Sequence, residues 1–93
     1  MSTAARRFAV VTSSTSSLET VQRYLPANYS ARSLSGTVYI FGHDNAGWGL
    51  DTYVIPRLQS GLHGAREISE EEYRAQVDAV FARIADKVED GMA

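Results

Sequence analysis

Hydrophobic and polar positions follow three different rhythms along this chain, and each predicts an element. Val38-Tyr39-Ile40-Phe41 is apolar on both alternating faces, the pattern of a strand covered above and below. Gly42-His43-Asp44-Asn45-Ala46-Gly47 then turns abruptly polar and glycine-rich, which predicts a tight turn. Beyond it Leu50, Val54, Leu58 and Leu62 recur every fourth residue, with Trp48 and Ile55 beside them, the spacing of a helical stripe. Pro56 falls inside that stripe and lacks an N–H, so a kink or a start-up turn is expected near 51–55; Gly61 suits the helix end.

The flanks repeat these rhythms more weakly. Phe8-Ala9-Val10-Val11 reads as a short buried strand, followed by the Ser/Thr cluster 12–17. Ser16-Ser17-Leu18-Glu19 is a capping box ahead of a helix bearing Leu18, Val21 and Leu25, which Pro26 ends. Residues 29–34 form a strand polar at Ser30, Arg32 and Ser33, as sheet edges are, and Ser35-Gly36 joins it to the central strand as a two-residue hairpin turn. Residues 65–68 fit a short edge strand. Ser69-Glu70-Glu71-Glu72 starts the last helix, with Ser69 capping, Glu72 reaching back, and three acids at the positive end of the helix dipole. Tyr73, Val77, Val80, Phe81, Ile84 and Val88 line one face of it, Ile68 and Tyr73 form a hydrophobic staple, and Gly91 closes it.

The order is β-α-β-β-α-β followed by α: an α+β fold of ferredoxin-like order with an added C-terminal helix. That order places the first and third strands centrally, and those are the two that are apolar on both faces. Tyr39 and Phe41 point one way from the central strand and Val38 and Ile40 the other, so the last helix is expected to cover the second face with Phe81 in the seam. The alternative is a disordered N-terminus and a smaller hairpin-and-helices α+β fold. Residues 1–93 make one domain, with 1–7 as a flexible tail.

Composition narrows the classes. An apolar content of 44% marks a globular chain, and the absence of cysteine excludes disulfides, thiolate metal sites and thiol catalysis. No run reaches membrane-span length and no signal peptide is evident, so the expected compartment is cytoplasmic. Charge is divided: residues 1–43 carry four arginines against one glutamate, and residues 44–93 carry five bases against ten acids. The net charge of −2 argues against general nucleic-acid binding, leaving a weak contact through Arg6, Arg7, Arg23 and Arg32 as a minor reading.

Gly42, Asp44, Ala46, Gly47, Trp48, Leu50, Asp51, Tyr53 to Leu58, Ser60, Gly61 and Leu62 resemble a string found in small uncharacterised proteins of actinobacteria and their phages. The resemblance covers about a quarter of the chain and implies a source, possible phage encoding included, but no activity and no residue roles. The abundance of Arg and Ala agrees with a GC-rich genome.

Candidate contacts for a ligand or partner are His43, Asp44, Asn45, Trp48, Asp51, Tyr53 and Arg57, where the central strand passes into a helix. The competing reading gives Asp44 and Asn45 to the turn, Asp51 to a cap and His43 to a backbone carbonyl. No catalytic residues are assigned: no G-x-S-x-G occurs, and adjacent His43 and Asp44 on a strand point to opposite faces. His43 and His63 have no metal-ligand spacing, and no cofactor is implied. The expectation is a non-enzymatic protein-interaction or regulatory protein with a protein partner or a second copy of itself. The alternative is a small-molecule-binding module with its pocket at residues 42–53.

Overall fold

The computed structural model describes the backbone of residues 6–92 and the side chains of residues 6–83. In chain order it holds β1 (Arg6–Val10), α1 (Leu18–Gln22), β2 (Tyr29–Leu34), β3 (Thr37–His43), a π-helical turn (Leu50–Val54) running into α2 (Ile55–Ser60), β4 (Arg66–Ile68) and α3 (Glu70–Met92). The four strands form one antiparallel sheet in the order β2-β3-β1-β4, so β1 and β3 lie inside and the polar β2 and β4 form the edges. This is a small α+β architecture.

Register decides which side chains share a face. Phe8 pairs with Phe41 and Ala9 with Ile40, so odd β1 residues and even β3 residues meet on one side. There Ala9, Val38, Ile40 and Tyr29 pack against Val21 of α1, Leu50 and Val54 of the π-turn and Leu58 of α2. On the opposite side Phe8, Val10, Tyr39 and Ile68 form a second cluster, which Tyr73 of α3 covers, its ring stacked 4.8 Å from that of Phe8. The Ser35-Gly36 turn has positive φ at both residues (53° and 83°), the conformation that closes a two-residue hairpin.

Several local expectations are revised. Strand β1 begins at Arg6, so the last two residues of the expected tail belong to the sheet; residues 1–5 lie outside the described residues. The cap of α1 is Ser17, which accepts from the Thr20 amide, because the Ser16 hydroxyl is taken by His63 Nδ1 at 2.6 Å. That helix stops at Gln22, and the Tyr24 and Leu25 amides reach back only three residues, tightening the chain ahead of Pro26. Ser69 caps α3 as expected, accepting from the Glu72 amide at 3.0 Å, but the Glu72 carboxylate turns to Arg66 at 3.5 Å. Helix α3 runs past Gly91 to Met92.

Two stripe residues also leave their stripes. Leu50, Val54 and Leu58 are fully buried, whereas Leu62 is 87% exposed. The chain has already left α2 there: the His63 amide bonds Leu58 O, the Leu62 amide bonds Gln59 O, and Leu62 itself sits at φ 65°. That is a Schellman closure with a leucine in the left-handed position. Phe81 is 65% exposed and outside the seam, while Val77 and Val80 are half-buried. The Ile84 and Val88 side chains lie outside the described residues.

Candidate functional site

The segment after β3 is shaped by two anchors. Asn45 and Trp48 bond each other's backbone across a tight turn whose Gly47 sits at φ 79°. The Asn28 Nδ2 donates to His43 O at 2.7 Å and Trp48 O at 2.9 Å, tying both ends of that turn to the loop before β2. From Leu50 the chain then makes one wide turn in which the Val54 amide bonds Gly49 O, five residues back. Pro56 accounts for the width, since its ring would collide with the carbonyl four residues earlier in a regular α-helix.

Asp44 and Asp51 converge on a residue distant in sequence. Arg7 donates to Asp44 Oδ2 at 2.7 Å, to Asp51 Oδ2 at 2.7 Å and to both Glu67 oxygens at 2.8 and 3.0 Å. Asp44 Oδ1 also accepts from the Tyr29 hydroxyl at 2.5 Å and the Leu50 amide at 3.0 Å. The Tyr29 hydroxyl, then Arg7 and the Leu50 amide, hold the Asp44 carboxyl below the usual range against the opposing effect of burial. Burial, and then Asp44, push Tyr29 up, while Glu67, then Asp51 and Asp44, fix the charge on Arg7. The arrangement clamps β1, the β3 exit, the π-turn and β4 together.

The other side of the turn is open. Pro26, Ala27, Asn28, His43, Asn45, Trp48 and Tyr53 line a cleft of about 640 Å³. Trp48 stands edge-on to Tyr53, ring centres 4.5 Å apart at 85°, and is 43% exposed. Arg57 lies over the Tyr53 and Tyr24 rings at 5.6 and 5.7 Å, and His63 meets Tyr24 edge-on at 5.0 Å, so an aromatic–cation ladder backs the cleft. Among the residues expected at a contact site, His43, Asn45, Trp48 and Tyr53 come together here, with Arg57 behind Tyr53. Asp44 and Asp51 do not.

Sequence reasoning missed Pro26, Ala27 and Asn28 as lining residues and Arg7 as the partner of the acids. It also missed the Ser16–His63 hydrogen bond, which joins the loop after β1 to the loop after α2 alongside the Ser13 amide bond to His63 O. Among the described residues no group of His, Asp and Glu is arranged to hold a metal ion, and no helix is long and apolar enough to cross a membrane. No protein-family model, curated protein or solved structure matches the chain.

Proposed function

We propose that this chain is a small, non-catalytic protein-interaction module that takes a segment of its partner into the cleft between residues 26–28 and 43–53. Trp48 carries this reading. It is a large aromatic left 43% exposed, yet it meets Tyr53 edge-on and its backbone is anchored by Asn28. Pre-ordered Trp and Tyr side chains are what interfaces use as anchors, since little side-chain entropy is lost when they are covered. The test is affinity capture from an actinobacterial lysate, the source the segment resemblance implies, with the wild type and Trp48→Ala side by side. A partner retained by the wild type and lost by the variant is expected; equal capture by both defeats the proposal.

A second reading, a small-molecule-binding module, has the cleft's size in its favour, since about 640 Å³ falls within the range of ligand pockets. A thermal shift produced by the low-mass fraction of the same lysate, and absent in Trp48→Ala, would favour it. The ferredoxin-like description of the fold belongs to the same proposal; the element order and the inner places of β1 and β3 support it.

A further inference from the structure

Building on the reading of the cleft as a partner site, we infer that the segment it receives is an extended acidic peptide led by an apolar anchor. A second hollow of about 270 Å³ adjoins the cleft, and Ala27, Asn28 and His43 line both. The two make one groove, running from the Trp48–Tyr53 corner past the end of the β2–β3 pair to Arg6 and Phe41 on the other face of the sheet. Its floor at the junction includes Gly42, where a Cβ would come 2.7 Å from the Tyr29 ring. Helix α3 starts beside this end, where Tyr73 lies 6.0 Å from the Phe41 ring, and crosses to the opposite end of the hairpin, where Arg83 bonds Ser35.

The groove's charge is one-sided. Arg6 lines its far end, Arg32 lies 5.9 Å over the Phe41 ring, and Arg57 stands over Tyr53 at the near end. All three are exposed, and among the described residues none has an ion-pair partner. Asp44, Asp51 and Glu67 all turn to Arg7, a group that stays net negative, and no carboxylate lines either hollow. The groove therefore presents an apolar aromatic corner and a lining whose only charged side chain is Arg6, with Arg32 and Arg57 stacked on aromatic rings beside it. The corner suits a proline or aliphatic anchor docked against aromatic rings, and the arginines suit acids following it; such complementary charge sets orientation and speeds encounter.

The test uses the full chain and fluorescein-labelled Gly/Ser peptides that share a proline-pair anchor and differ only in the run after it: glutamates, glutamines or lysines. Fluorescence anisotropy should show the glutamate peptide binding about tenfold more tightly than the glutamine peptide, with the lysine peptide weakest. Trp48→Ala should lose all three. Arg6→Ala/Arg32→Ala should weaken only the glutamate peptide, by about tenfold, with an unchanged thermal transition because both side chains are exposed. Equal, Trp48-dependent binding of the glutamate and glutamine peptides would overturn the acidic partner and leave the cleft reading standing. No binding by any peptide, with the Trp48 emission unmoved, would overturn both. Preferential binding of an oligothymidylate through Arg6 and Arg32 would overturn the peptide in favour of nucleic acid.

Discussion

Asp44 accepts hydrogen bonds from three parts of the chain, Arg7, Tyr29 and the Leu50 amide. Its two substitutions separate charge from bonding. Asp44→Asn keeps an oxygen for Tyr29 and Leu50 but drops the charge facing Arg7; the pair is partly solvated, so a loss of up to about 1 kcal/mol at neutral pH is expected. Asp44→Ala also leaves the hydroxyl of the buried Tyr29 without its acceptor, at a further cost of about 1–3 kcal/mol. Because the folded carboxyl titrates below its unfolded value of about 3.9, its contribution is complete above that value and is lost as pH falls through the folded one. Urea midpoints of the wild type and Asp44→Asn should therefore converge in acid; a gap that persists at the lowest pH would show the carboxyl is not held down. Asp44 itself was legible as a turn residue, whereas Asp51, expected as a cap, turns to Arg7 instead. Their shared partner was not legible, because Arg7 lies 37 residues from Asp44 and 60 from Glu67, and no local pattern reports such a pairing.

Individual elements were legible where one local rule dominated. The apolar run Val38–Phe41 of β3, the Ser35-Gly36 hairpin and the Ser69 cap each follow from a few adjacent residues. Prediction failed where neighbouring elements compete for the same groups, as when His63 takes Ser16 and displaces the α1 cap by one residue. The end of α2 is a sharper case. Gly61 would ordinarily supply the left-handed residue, but it sits at φ −90° with the Tyr24 ring where its Cβ would be, leaving Leu62 to take φ 65°. A leucine there is strained by about 1–2 kcal/mol, and being 87% exposed it gains little from packing. Leu62→Gly should therefore raise the thermal midpoint, by a net stabilisation of about 1 kcal/mol once glycine's extra unfolded-state freedom is deducted. Helix α3 gives the opposite contrast. Tyr73 stacks on Phe8 and meets Tyr39 and Phe41 at 6.0 Å, so Tyr73→Ala should cost about 3 kcal/mol. Phe81→Asp, expected from the helical stripe to be ruinous, should change stability by no more than about 0.5 kcal/mol at its exposed position. Chemical denaturation of the two variants decides between stripe and structure.

At the scale of the whole molecule, the sheet has two apolar faces and only one is covered by the connections between its strands. Helix α1, the π-turn and α2 pack on the face with Ala9, Val38 and Ile40, leaving Phe8, Val10, Tyr39 and Ile68 to α3. Those four side chains are at most 8% exposed, and returning them to water would cost roughly 6–12 kcal/mol at about 1.5–3 kcal/mol each. A small domain has about 5–15 kcal/mol in total. A chain ending at residue 69 should therefore lose its cooperative thermal transition and aggregate through the bared face. Light scattering supplies the control: a full-length chain whose molar mass is that of a monomer shows that α3 covers this face within one molecule. A full-length dimer that Phe81→Asp dissociates would instead place the exposed Phe81 against a second copy. A soluble 1–69 fragment that melts cooperatively would show that the second face needs no cover, and that α3 contributes far less than the burial of those four residues implies.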